Sequence, residues 1–150
     1  MKNFLILFSV CFVIAVTAGC GDYVSVKNGN NIYYGTYYPK DFIHYDIKLI
    51  EKNSNVHCEG MLFLNSPSRS ITFKNDIVDA KFVAACTDKK LLSADLKTTK
   101  KTFDNPYGTA YDQYNNQYFF SEVTEKEVKQ NLSKSQIKQL KEYSNSLLKY

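Results

Sequence analysis

Ile43-His-Tyr-Asp-Ile-Lys-Leu49 alternates without a break: Ile43, Tyr45, Ile47 and Leu49 fall on one side, and His44, Asp46 and Lys48 on the other. A period of two is the mark of a half-buried β-strand, because successive side chains leave opposite faces of the pleat. The same parity recurs downstream. Val56, Cys58, Gly60, Leu62 and Leu64 share a face, then Val78, Ala80, Phe82, Ala84 and Cys86, then Leu92, Ala94 and Leu96. Between these segments lie turn-forming clusters: Asn28-Gly-Asn-Asn31, Asn53-Ser-Asn55, Asn65-Ser-Pro-Ser68, Lys74-Asn-Asp76 and Thr87-Asp-Lys-Lys90. Connections this short imply antiparallel pairing, since parallel strands need long crossovers. The tyrosine-rich run from Tyr107 to Phe120 reads as strand, Asn-rich turn at Asn115-Asn116, and strand.

At Ser121 the alternation stops and helix signals begin. Thr124-Glu-Lys-Glu127 and Ser133-Lys-Ser-Gln136 both fit the capping box, so two helices are expected. In the second, Ile137, Leu140, Tyr143, Leu147 and Leu148 form one apolar stripe, with Lys138, Lys141, Glu142 and Asn145 on the wet side. Asn131-Leu-Ser133 matches a glycosylation sequon and is read as a helix cap instead. The expected fold is α+β: an antiparallel sheet or partly open barrel over 20–120, followed by a helical segment over 121–150 packed on it. About 130 residues suit a single domain with a modest core.

The amino-terminal stretch says where the protein works. Lys2 precedes an uncharged apolar run from Phe4 to about Val16, which ends in Val16-Thr-Ala-Gly-Cys20. Charge, apolar run and small residues follow the order of an export signal, and the run is short for a span that needs about 20 apolar residues. Ala18-Gly19-Cys20 resembles the lipobox of bacterial lipoproteins, with Thr17 where that family most often carries Leu. The resemblance implies a signal peptide over 1–19 and cleavage before Cys20. Its thiol then carries diacylglyceryl and palmitate-class lipid, and the mature chain is anchored at the membrane. An ordinary secretory signal cut after Ala18 is the other reading. Gly21 is not the aspartate that retains enteric lipoproteins in the inner membrane. The implied location is therefore the outer membrane, or the plasma membrane where there is no outer one.

Four cysteines are present, and Cys11 leaves with the signal. If Cys20 becomes a thioether, Cys58 and Cys86 remain as one pair, and both lie on the apolar face of their strands. A disulfide between them is expected; two buried free thiols are the alternative. His57 adjoins Cys58 but projects to the opposite face, and no second His/Cys pair has zinc spacing, so no metal site is expected.

Nineteen basic against fifteen acidic residues leave a net charge of +4, but Arg69 is the only arginine. Nucleic acid is a poor partner for an exported chain lacking the guanidinium groups that fork onto phosphate and guanine. His44 and His57 are the only histidines, and there is no strand-to-helix serine elbow or glycine-rich phosphate loop. No enzyme and no cofactor are expected. The expected role is structural or binding, toward an envelope protein or glycan, with Tyr107, Gly108, Tyr111 and Tyr114 carried near a loop tip as the binding residues. Gly108-Thr-Ala-Tyr111 and Tyr118-Phe-Phe120 also faintly resemble the Ser-Gly-x-x-Tyr and Phe-Trp stretches of membrane-bound lysozyme inhibitors. That resemblance implies a small β-barrel lipoprotein whose loop at Tyr107, Gly108 and Tyr111 enters the lysozyme cleft. Here Tyr107 replaces the serine and Phe the tryptophan, and the cysteine spacing differs.

Overall fold

The computed structural model describes residues 22–41, 43–65, 77–99 and 105–147. The signal segment and Cys20 lie outside them, as do Leu148 and most of the two turns expected around Ser66 and Asn75. Eight strands run in chain order: β1 (Asp22–Lys27), β2 (Ile32–Pro39), β3 (His44–Glu51), β4 (His57–Leu64), β5 (Ile77–Cys86), β6 (Leu91–Thr99), β7 (Tyr107–Asp112) and β8 (Gln117–Val123). Each pairs antiparallel with the next, and β1 also pairs with β8, so the sheet closes into a barrel. Closure replaces the expected choice between a sheet and a partly open barrel, and it leaves no strand edge unpaired.

Alternation determines what fills the lumen. Val24 and Val26 of β1, Ile47 and Leu49 of β3, Leu62 of β4, Phe82 of β5 and Leu96 of β6 point inward and are buried. Small residues face large ones across the strands: Gly60 pairs with Ile47 and Ala84, while Leu62, Phe82, Ala94, Ala110 and Tyr118 follow one another around the wall. An eight-stranded barrel has just enough interior for side chains, and this mixture packs it. With no tryptophan in the chain, tyrosine and phenylalanine supply the bulk. Phe82 and Phe120 meet at 5.2 Å between ring centroids, and Tyr33 meets Tyr118 edge-on at 6.2 Å. The expected face of every strand named above is the inward one.

Cys58 and Cys86 are direct cross-strand partners on β4 and β5 and are joined by a disulfide. The two buried sulfurs sit inside the wall, as their parity requires.

Strand β8 continues to Val123, three residues beyond Phe120, so the change of character expected at Ser121 comes later. Its partner β1 supplies the reason: Tyr23 pairs with Val123 and Ser25 with Ser121, holding the last residues of β8 in the sheet. Helix α1 (Glu125–Asn131) and helix α2 (Lys134–Leu147) follow. The Ser133 box is reciprocal, with Gln136 N–H donating to Ser133 Oγ at 3.2 Å and Ser133 N–H to Gln136 Oε1 at 2.9 Å. At α1, Thr124 accepts from Glu127 N–H at 3.2 Å, but the Glu127 carboxylate turns to Lys27 Nζ at 2.7 Å and ties the helix to β1. Val128, Leu132 and Leu140 bury themselves against Tyr34 and Ile50, which point out of the barrel. A second, smaller core thus covers the outside of β1 to β3. Lys138, Lys141, Glu142 and Asn145 are exposed, as the stripe predicts.

Candidate functional site

The helices cover only one side of the barrel, and the outer wall of β5 to β8 is bare. There Val83, Leu91, Tyr107, Tyr111 and Phe119 stand in water, each between 45 and 57% exposed. Register sets them on one wall, with polar residues between: Val83 and Tyr111 both flank Ser93, and Phe119 pairs with Thr109. The charged groups on the same wall are mutually satisfied, Lys81 with Asp95 at 3.3 Å and Lys97 with Asp79. The wall therefore mixes exposed apolar and aromatic side chains with Ser93, Thr109 and charges that compensate one another. Several large apolar and aromatic side chains left exposed on one face make that face a candidate interaction surface.

The four expected binding residues are not equivalent. Tyr114 sits at the tip of the β7–β8 turn and is 74% exposed. Tyr111 lies on β7 near that turn, whereas Tyr107 starts β7 at the far end, away from the tip. Gly108 is in neither a turn nor a loop. It is an inward position of β7, where a side chain would meet the Asp95 carbonyl oxygen at 2.5 Å and Leu96 at 3.0 Å. The expectation that Tyr107, Gly108 and Tyr111 lie near a loop tip or in a loop is corrected for Tyr107 and Gly108, and all three are strand residues: glycine stands at 108 where β6 and β7 approach closely.

What shapes the turn is Asp112, a residue that sequence reading passed over. Its carboxylate accepts from Tyr114 N–H, Asn116 N–H and Asn116 Nδ2, each at 2.9 Å, and from the Tyr118 hydroxyl at 3.3 Å. Burial pushes this carboxyl up, but the bonds from Asn116, Tyr114 and Tyr118 win and hold it below the usual carboxylate range. Asn115 supplies the left-handed residue, φ 63°. Nearby, Lys90 Nζ donates to the Tyr33 hydroxyl at 3.0 Å and lies over the rings of Tyr33 and Tyr118. Burial opposes its charge, yet the Tyr33 hydroxyl, then Tyr118 and the Asp88 carboxylate, hold the ammonium above its ordinary value. Lys90, Tyr33, Tyr118 and Asp112 together seal one end of the barrel. A D-x-x-N-N pattern after an aromatic strand was the available signal for the Asp112 turn.

The histidines are not brought together. His44 opens β3 opposite Phe63, and His57 opens β4 opposite Ile50, at the other end of the same hairpin. His44 Nδ1 contacts Asp41 Oδ2 at 2.7 Å, a surface pair that also closes the β2–β3 turn. Asp41 is held below the usual range first by the Ile43 N–H and then by His44. Among the described residues no three His, Cys, Asp or Glu side chains gather as metal ligands, and no helix is long and apolar enough to cross a membrane.

Comparison with protein-family models, curated proteins and solved structures finds no match to this chain.

A second feature lies beside the covered wall. Between α2 and the β3–β4 hairpin runs an open groove of about 870 Å³, lined by residues of the 52–56 turn, by Lys48, Ile50 and His57, and by one flank of α2. Tyr143 separates it from an apolar depression over Met61, Val83 and Leu91 that belongs to the bare wall. Burial, with Asp46 and Glu59 nearby, pushes the Tyr143 hydroxyl up to about 12, so it stays a neutral donor and acceptor at any physiological pH.

Proposed function

We propose that this protein is a membrane-anchored lipoprotein of the cell envelope that binds a protein partner on the bare wall of β5 to β8 and carries out no catalysis. One observation carries the binding reading: large apolar and aromatic side chains point outward on a wall that the two helices leave open, while the charges among them pair with each other. Aromatic anchors with little rotamer entropy, set in a neutralised surround, are what protein interfaces select. The filled lumen argues in the same direction, because a packed barrel offers its outside rather than its inside to a ligand. Anchoring rests on the lipobox resemblance, and β1 begins at Asp22, so Gly21 alone separates the barrel from a lipidated Cys20.

The anchor has a direct test. Cys20→Ser is expected to move the protein from the membrane fraction to the soluble one, since several acyl chains hold a protein stably and none does not. Wild-type protein recovered soluble, with an unmodified amino terminus at Gly19, would refute the lipid anchor.

The wall is tested by placing a photo-crosslinking residue at Tyr111 in cells, and at Lys138 on the outer side of α2 as control. A discrete partner adduct is expected from position 111 alone. Tyr111→Ala and Phe119→Ala should each weaken binding to that partner by about tenfold or more, the size of an interface anchor. The double substitution His44→Ala and His57→Ala should leave it unchanged. Equal adducts from both positions, or loss of binding with the histidines alone, would overturn the assignment.

A further inference from the structure

We infer that the groove between α2 and the β3–β4 hairpin is a binding site for an uncharged oligosaccharide, of the hydroxyl- and acetamido-bearing kind that envelope glycans present. The inference rests on the extracytoplasmic location proposed above and concerns a different surface from the protein-binding wall.

The lining selects the ligand class. Asn53, Asn55, Gln139, Ser135, Ser146 and Tyr143 contribute amides and hydroxyls. Each such group both donates and accepts, which is what a ring of hydroxyls needs, since every sugar hydroxyl does both as well. Of the charged groups in the lining, Lys48 and Glu142 are paired with opposite charges and the Lys52 ammonium is tied to a neutral amide oxygen. Lys48 Nζ lies 3.3 Å from Glu59 and 5.0 Å above the Tyr143 ring, Lys52 Nζ donates to Asn131 Oδ1 at 2.9 Å, and Glu142 sits 3.7 Å from Lys138. Ile50 is buried beneath α2, so the ring of Tyr143 is the main apolar contact the lining offers, too little to hold a hydrocarbon chain but enough for the C–H face of a sugar. The volume, about 870 Å³, lies within the range of small-molecule sites.

The groove is also held ready. Gln136 Nε2 donates to the Glu51 carbonyl at 3.0 Å and the Ser54 carbonyl at 3.3 Å, clamping the start of α2 to the 52–56 turn. Within that turn Asn53 N–H donates to Glu51 Oε2 at 2.9 Å and Val56 N–H to Ser54 Oγ at 3.1 Å. Walls fixed before binding lower the entropy lost when the ligand arrives. This also gives the buried Glu51 a role, because its carboxylate anchors a wall rather than a reaction.

The test titrates full-length protein, lipid anchor intact in detergent, with a β-1,4-linked N-acetylglucosamine tetramer and, separately, with polyphosphate. Saturable calorimetric binding of the tetramer is expected in the micromolar to millimolar range, insensitive to added salt. Asn55→Ala and Gln139→Ala, both exposed and outside either core, should each weaken it about fivefold, the worth of one neutral hydrogen bond. Tyr111→Ala should leave it unchanged. Absence of saturable binding, indifference to both groove variants, or displacement by polyphosphate would overturn the inference. The outcomes are separable: a soluble protein that still binds the tetramer through Gln139 refutes the anchor alone, and an anchored one that ignores the tetramer refutes the groove alone.

Discussion

Gly60→Ala is expected to destabilise the barrel severely. Gly60 lies inside β4, paired with Ile47 on one side and Ala84 on the other. A Cβ added there would run into the Val83 carbonyl oxygen and sit 2.6 Å from the Ala84 Cα. Both obstacles are backbone of the neighbouring strand, so no side-chain rotation relieves the clash. Relief requires β4 and β5 to separate, and in a closed barrel that disturbs pairing around the ring. The loss should exceed about 4 kcal/mol, the exceptional end of single substitutions, against a total of roughly 5 to 15 kcal/mol for a domain. Gly29→Ala, in the open β1–β2 turn with no atom within 4 Å of the added carbon, should stay close to wild type. Denaturant midpoints followed by circular dichroism check the pair. A Gly60→Ala protein within 1 kcal/mol (roughly) of wild type would mean that the strands are not so closely apposed.

The second large effect is loss of the Cys58–Cys86 bridge. The sulfurs span a sequence separation of 28 residues. On the chain-entropy estimate, closing that loop in the unfolded chain is worth about 3.5 kcal/mol. The double substitution Cys58→Ala and Cys86→Ala isolates this term. Cys58→Ser alone should cost at least as much, because it places a hydroxyl at a fully buried position and leaves Cys86 unpaired. Exported protein, denatured without reductant, should take up no alkylating reagent at these two positions. Uptake of two equivalents would show that the bridge does not form.

Much of the wall was legible because alternation is a local property. The parity of Ile47 and Leu49, of Cys58 and Leu62, and of Ala80, Phe82, Ala84 and Cys86 states which side chains turn the same way, and each of these points into the lumen. The disulfide followed from the same parity. Helix starts at Thr124 and Ser133 were legible because a cap is a contact between residues three apart. The candidate site was harder to read. Tyrosine density marked the hairpin, yet it did not separate Tyr118, which lies in the core, from Tyr111 and Tyr114 outside, or distinguish the strand glycine at 108 from a turn glycine. The groove left no trace in sequence, since Asn53, Asn55, Gln139 and Ser146 become neighbours only when α2 docks.

By itself, then, the sequence determined the inward faces of β3 to β6, the β7–β8 hairpin, the cysteine pair and the two helix starts, because each depends on spacings of two to four residues, while β1 and β2 went unassigned. Tertiary structure decided the rest. Barrel closure is the pairing of β1 with β8, about a hundred residues apart in sequence, and it depends on twist and bend summed over eight strands and on glycines that let neighbouring walls approach. It also decided which outward apolar residues are covered and which are offered. Tyr34 and Ile50 vanish under α1 and α2, while Tyr111 and Phe119, no less apolar in sequence, remain in water because the helices pack across β1 to β3 and leave the opposite wall open.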